Sequence, residues 1–156
     1  MRAFVLVLAA ACSFKADFDI PYDIPPLTID GSSYGSTAPF SFYMDLSNDP
    51  ETHVSGVSAV TLSSLSFSIT SATGCFGFID DVTIWISSTK SGTTLERAVV
   101  ATASSPGCVD QISLTPTDVD LKPYLDEGAM VLATGSGVPP KDTLAFGGRV
   151  VLHASL

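Results

Sequence analysis

The sequence predicts an all-β protein, an antiparallel β-sandwich of about eight strands with an Ig-like or jelly-roll-like topology. Apolar residues alternate with serine, threonine and charged residues along most of the chain. Such a period of two is typical of strands with one buried and one solvated face. The alternating segments are short and are separated by glycine, proline, asparagine and aspartate. Long βαβ crossovers are absent, which excludes a doubly wound α/β fold.

The predicted strands follow one another with little else between them. The alternating sets are Phe14, Ala16, Phe18 and Ile20; Phe40, Phe42, Met44 and Leu46; Leu65, Phe67 and Ile69; Val82, Ile84 and Ile86; Ile112 and Leu114; Met130, Leu132 and Thr134; and Leu144, Phe146, Gly148, Val150, Leu152 and Ala154. Residues 81–88 and 95–102 form a hairpin around a turn at residues 90–94. The seven alternating sets and the returning strand of that hairpin together give the eight predicted strands.

Two segments depart from simple alternation. Val60 and Leu62 have the opposite parity to the apolar residues that follow them, which predicts a β-bulge at residues 63–64. Residues 118–127 carry apolar side chains at helical spacing. They predict one short helical turn, with Asp118 as its cap.

The predicted domain organisation is simple. Residues 1–11 are predicted to be a signal peptide, and residues 12–156 a single β-sandwich domain, long enough to bury a core. Within it, residues 21–39 are rich in proline, glycine and serine. They predict an irregular crossover between the first two strands.

Composition excludes two classes of function. The chain has 16 acidic and 7 basic residues and a net charge of −9. Such an acidic balance argues against nucleic acid as a partner, because phosphate binding needs clustered lysine and arginine. Apolar runs stay shorter than the roughly 18 residues that span a bilayer as a helix. An integral membrane helix is therefore not expected.

The N-terminus has the features of an export signal. Arg2 precedes an apolar stretch that ends in Leu8-Ala9-Ala10-Ala11-Cys12, and small residues before a cleavage site are typical of secretory signals. These residues resemble the lipobox of bacterial lipoproteins. The resemblance implies lipid attachment at Cys12, a membrane partner through that lipid, and an outer-membrane or cell-surface location. The alternative is an ordinary signal cleaved after Ala11, which leaves a secreted soluble protein.

The number and positions of the cysteines are consistent with export. The chain has 3 cysteines, and a lipid on Cys12 leaves Cys75 and Cys108 as a pair. They flank the predicted hairpin at equal distances, at the end where its two strands are open, so they are predicted to form a disulfide. The alternative is two separate buried thiols. Metal binding is not expected from two cysteines without a nearby histidine.

Candidates for metal binding and catalysis are weak. Asp45, Asn48, Asp49 and Glu51 crowd the loop after one strand, where carboxylate and amide oxygens suit calcium. The spacing is not that of an EF-hand, and a solvated turn is the favoured interpretation; no other cofactor is expected. The remaining candidates are Ser33 within a G-x-S-x-G pattern, His53 and His153. The serine lacks the following helix that a nucleophile elbow needs, so the chain is not expected to be an enzyme.

Two aromatic residues are candidates for a ligand surface. Trp85 and Tyr43 lie on the polar parity of their strands. An exposed ring there can stack on a sugar or anchor a protein partner, although cross-strand packing is the simpler interpretation. The leading hypothesis is a non-catalytic, lipid-anchored interaction or structural module of the cell envelope. The alternative is a secreted or surface module that binds carbohydrate or another ligand, assisted by calcium.

Overall fold

The computed structural model describes residues 17–31, 38–45 and 56–156, and its architecture there is all-β. The strands are β1 Phe18–Ile29, β2 Ala38–Asp45, β3 Ala59–Ile69, β4 Ile79–Ser88, β5 Ala98–Ser104, β6 Gln111–Pro116, β7 Ala129–Gly137 and β8 Leu144–Ser155. A 3-10 turn at Phe76–Phe78 precedes β4, and helix α1 at Lys122–Glu127 precedes β7. The fold class predicted from the alternation is confirmed.

The eight strands form one curled sheet in the order β1-β8-β3-β6-β5-β4-β7-β2. Every pairing is antiparallel, and β5 and β6 pair at only two positions, Ala101 with Pro116 and Thr102 with Thr115. This short seam divides the sheet into two four-stranded halves, β1-β8-β3-β6 and β2-β7-β4-β5, which face each other around the core. That is the strand order of a jelly-roll sandwich. The seam closes one side of the sandwich, whereas β1 and β2 are the edges of the other side.

Strand β1 corrects the expected irregular crossover at residues 21–39. The strand pairs with β8 from Phe18 to Ile29, and its register shifts between Ile24 and Leu27. The two intervening residues, Pro25 and Pro26, lack an N–H group and are tolerated because a bulge on an edge strand needs no ladder bond there. Half of the proline-rich segment is therefore strand.

Strand β3 bears out the predicted bulge. Its pairing with β8 shifts register between Leu62 and Ser64. The extra residue keeps both parts of the strand facing inward, since Val60, Leu62 and Leu65 are all buried. The change of parity in the sequence is thus compensated by the backbone.

Strand β7 has its faces reversed relative to the alternating set read from the sequence. Ala129, Val131 and Ala133 belong to the core, so Met130 and Leu132 lie on the outer face. Both parities of this strand are apolar or small. The pattern alone is therefore ambiguous, and the register with β4 decides it.

Helix α1 covers one end of the sandwich. Tyr124 and Leu125 are buried, and the Tyr124 hydroxyl donates to the Glu96 carbonyl at 2.6 Å. Asp120, not Asp118, supports the helix start, because its Oδ1 accepts the Lys122 N–H at 3.0 Å. The same oxygen accepts a backbone N–H of β3 at 3.0 Å, which ties the helix to the sheet.

The predicted disulfide is present at the opposite end of β4. Cys75 and Cys108 are bonded, with their Cα atoms 5.0 Å apart. The Phe76 N–H donates to the Val109 carbonyl at 2.8 Å, so the backbones on both sides of the bond are also joined. Gly77 lies against this bond, and a Cβ there would meet the Cys108 backbone at 3.3 Å.

Candidate functional site

The outer face of the β2-β7-β4-β5 half carries a row of large side chains, Tyr43, Leu132 and Trp85. Leu132 pairs with Tyr43 on one side and with Trp85 on the other. Neighbouring strands are about 4.8 Å apart, so the two aromatic residues are separated by about 10 Å. Tyr43 is 69% exposed. We call these three residues the aromatic row.

The Trp85 indole has partners on this face. Its Nε1–H donates to the Thr134 hydroxyl at 2.9 Å, and the Arg97 guanidinium carbon lies 4.1 Å from the ring centroid. A cation over an indole ring is attracted by its negative face. Trp85 is therefore held between β7 and the start of β5, while Tyr43 is the more accessible ring of the row. Sequence reasoning missed Arg97 and Leu132, because only the strand register brings them to the tryptophan.

Hydroxyl groups lie on the same sheet face as the aromatic row. The Ser136 hydroxyl donates to the Asp81 carboxylate across β7 and β4. Beside them, a groove of about 480 Å³ runs between β5 and β6 beyond their short seam. Its polar lining residues are Thr83, Thr102, Ser104, Gln111, Ser113 and Thr115. The face thus combines an exposed ring with many neutral hydrogen-bonding groups.

The interior of the sandwich contains an apolar cavity of about 260 Å³, which we call the interior cavity. Its wall consists of aliphatic and aromatic side chains from both halves of the sheet. They include Ile24, Leu27, Phe42, Leu65, Phe76, Ile84, Val100, Ile112, Ala133, Phe146 and Leu152. Within the described part of the chain, charged residues and amides do not occur among its lining residues. Apolar cavities of this kind stay dry, because a water molecule needs polar partners.

A cluster of four phenylalanines forms one part of the cavity wall. Phe146 lies at its centre, and its ring centroid is 5.8 to 6.1 Å from those of Phe42, Phe67 and Phe76. All three contacts are edge-to-face, the arrangement that aromatic pairs prefer. The cluster joins β2, β3 and β8, so it fixes the two halves of the sandwich relative to each other.

The volume of the interior cavity is large in energetic terms. Native cores contain few voids larger than a water molecule. At roughly 24 cal/mol per Å³ of empty volume, a sealed void of about 260 Å³ would cost about 6 kcal/mol, which is an upper limit for this cavity. Whole domains are stable by only about 5–15 kcal/mol. An empty cavity of this size is therefore a considerable destabilising feature.

A polar cluster stabilises the turn between β4 and β5. The Glu127 carboxylate accepts hydrogen bonds from the Thr93 hydroxyl at 2.5 Å and the Ser88 hydroxyl at 2.8 Å, and the Lys90 ammonium lies 3.2 Å away. The two hydroxyls, and then the ammonium, hold the pKa of Glu127 below its usual value. These contacts hold the β4–β5 turn against the end of helix α1, so we assign the cluster a structural role and not a ligand-binding one.

The histidine within the described residues lies on the surface. His153 Nδ1 is 3.0 Å from the Asp19 carboxylate, an ion pair when the ring is protonated, and its side chain is 40% exposed. The two residues are paired in register between β8 and β1. The contact joins an edge strand to its neighbour.

Several predicted site residues cannot be placed. Cys12, Ser33, Asn48, Asp49, Glu51 and His53 lie outside the described residues, and Asp45 is described only as the last residue of β2. Among the residues that the structure describes, there is no group of three or more metal-ligating side chains. In the same ranges, every helix is too short to cross a bilayer.

Comparison with known proteins finds similarity of fold only. The sequence matches no protein-family model, and no curated protein matches it. The structure is similar to the VP2 subviral particle of infectious bursal disease virus, at 17% identity and a TM-score of 0.42, over 92% of this chain but 33% of that one. It is also similar to the BFDV capsid protein, at 11% identity and a TM-score of 0.46, over 90% and 98% of the two chains. It is similar, too, to the Desmodium yellow mottle tymovirus structure, at 14% identity and a TM-score of 0.38, over 99% of this chain and 89% of that one.

Proposed function

We propose that this chain is a non-catalytic binding module of the cell envelope, anchored by a lipid on Cys12. The observation that carries the proposal is the Cys75–Cys108 disulfide. Disulfides persist in oxidising compartments outside the cytoplasm, which agrees with an export signal ending in Cys12. The pairing also leaves Cys12 as the odd cysteine, free to carry the lipid. Two acyl chains there suffice for stable anchoring, whereas one holds only reversibly.

The intact mass of the protein from its native membrane fraction tests this proposal. We expect a mass that lacks residues 1–11 and includes acyl chains, and that gains two hydrogen atoms on reduction of the disulfide. A Cys12→Ser variant is the matched control, and it should leave the membrane fraction while keeping the disulfide. An unacylated wild-type protein in the medium would refute the anchor and favour a secreted module.

A second candidate, carbohydrate binding, is favoured by the aromatic row. Tyr43 presents an accessible ring, and the same sheet face carries the Thr134 and Ser136 hydroxyls of the neighbouring strand β7. Sugars offer apolar ring faces for stacking and hydroxyls for hydrogen bonding, so they fit both features.

Retention on insoluble cellulose, chitin and peptidoglycan tests this candidate. Tyr43→Ala should abolish retention, because it removes the accessible ring. Phe18→Ala is the matched control, since Phe18 is 43% exposed but belongs to the other half of the sheet. Addition of a chelator tests whether calcium assists. Carbohydrate binding would be rejected if the two variants were retained equally. It would also be rejected if the parent protein were not retained on any of the three polymers.

A further inference from the structure

We infer that the interior cavity binds one linear acyl chain of about ten carbons, which enters between strands β1 and β2. The inference rests on the lining, length and opening of the cavity. It does not depend on the proposed anchor or on carbohydrate binding by the aromatic row. It therefore stands or falls by its own experiment.

The lining selects an apolar ligand. Every described residue of the wall is aliphatic, aromatic or methionine. Tyr22 and Tyr43 are those with a hydroxyl, and the Tyr43 ring belongs to the aromatic row on the outer face. Buried side-chain polar atoms within the described residues all have hydrogen-bond partners. The cavity thus offers nothing to hold water or a charged group in its interior.

The length selects a chain rather than a compact ring. In β4 the lining runs from Ile79 to Ile86, and in β1 it runs from Ile20 to Ile29. The eight residues of β4 from Ile79 to Ile86 extend over about 23 Å. The apolar wall is therefore elongated along the strands and is longer than an extended ten-carbon chain. A linear hydrocarbon can lie along such a wall, whereas a compact ring contacts only part of it.

The volume fixes the approximate size of the chain. An apolar cavity of about 150 Å³ accommodates benzene, which has six carbons. In proportion, a volume of about 260 Å³ accommodates about ten. The ligand is therefore a medium-length acyl chain, or the corresponding part of a longer one.

The opening lies at the free edges of the sandwich. Strands β1 and β2 stand at the two ends of the strand order, so no ladder of hydrogen bonds joins them. The cavity wall reaches Pro21 of β1 and Tyr43 of β2, both of which are exposed. On the opposite side, the seam between β5 and β6 closes the sandwich. Among the described residues, no backbone hydrogen bond joins the two edges, so a chain can enter between them without breaking one.

Two sources can supply the chain: a free or membrane lipid, and the lipid attached to Cys12. The chemistry of recognition is the same for both. Comparison of the acylated wild-type protein with the Cys12→Ser variant distinguishes them. If the attached lipid occupies the cavity, only the variant takes up an added chain; if the source is free lipid, both proteins take it up.

Equilibrium dialysis of the exported Cys12→Ser protein against radiolabelled 1-decanol is the decisive experiment. We expect saturable binding of one molecule per protein. Across 1-hexanol to 1-tetradecanol, affinity should rise about fourfold per methylene and stop rising near ten carbons. Absence of saturable uptake, or affinity that keeps rising to the longest alcohol, would overturn the inference.

A pair of variants locates the binding. Ala133 lines the cavity, and Ala133→Leu places three further carbons in it. This variant should lose affinity for 1-decanol about tenfold or more. Val138→Ala, at an exposed position just after β7 that does not line the cavity, should bind as the parent protein does. A folded Ala133→Leu protein with unchanged affinity would overturn the inference, and so would a comparable loss in Val138→Ala. If Ala133→Leu does not fold, the chain-length series still decides.

Discussion

Replacing Ala133 by leucine should stabilise the protein, although Ala133 belongs to the core. Ala133 pairs with Phe42 and Ile84 in the middle of its sheet, and its side chain borders the interior cavity. Leucine adds three carbons, and burial contributes about 0.8 kcal/mol for each. Ordering the larger side chain costs about 0.5–1 kcal/mol. The expected net gain in the free energy of unfolding is about 1.5 kcal/mol.

Ala101→Leu is the matched control for this prediction. Ala101 is also a core alanine in the same half of the sheet, but it is 0% exposed and does not border the cavity. Additional carbons in a well-packed position cost about 1–3 kcal/mol. The two substitutions are chemically identical, yet they should change stability in opposite directions.

Urea unfolding followed by Trp85 fluorescence measures both changes, with the disulfide intact in all proteins. The midpoint should rise for Ala133→Leu and fall for Ala101→Leu, with similar slopes, because similar slopes indicate a change in stability alone. Equal destabilisation by the two variants would refute the reasoning. It would mean that the space beside Ala133 is filled in solution by the surrounding side chains.

Three further predictions concern other parts of the molecule. Replacing Cys75 and Cys108 together by serine should lower the free energy of unfolding by about 3–4 kcal/mol, since the bond closes a loop across a separation of 33 residues; reductant should then have no further effect on the midpoint. Glu127→Gln should destabilise the protein at neutral pH, because the pKa of Glu127 is lower in the folded state than its ordinary 4.5. The stabilisation by the carboxylate is present above pH 4.5 and is lost as the pH falls through the folded pKa. The unfolding midpoints of the two proteins should therefore converge in acid. Arg97→Ala should cost about 0.5–1 kcal/mol and shift the emission of Trp85, because it removes the cation over the indole ring.

The period-two alternation predicted the fold class, and the positions of Cys75 and Cys108 around the predicted hairpin predicted the disulfide. Both depend on local signals: one face of each strand is apolar, and a hairpin brings its open ends together. Strand β7 shows where that signal fails. Met130 and Leu132 are as apolar as Val131 and Ala133, so hydropathy gives no preference, and the neighbouring strands determine which set is buried.

The prolines of β1 show a second limit of local reasoning. Pro25 and Pro26 are typical of a loop, and they predict one in isolation. Their position at the edge of the sheet changes the outcome, because the outward side of β1 has no ladder to interrupt. Edge position is a property of the whole topology. It is therefore not available from the residues of the segment itself.

The interior cavity and the open edge have a common physical origin. A jelly roll with short pairing between β5 and β6 is closed on one side only, so its core volume is set by how far the two halves separate at β1 and β2. The core side chains in the middle of β7, Val131 and Ala133, are small, and both border the cavity. Filling the space with protein atoms would stabilise the domain, as the Ala133→Leu prediction states. Keeping it empty costs stability, and that cost is recovered when an apolar chain binds, because a ligand that binds only the folded state stabilises it by mass action.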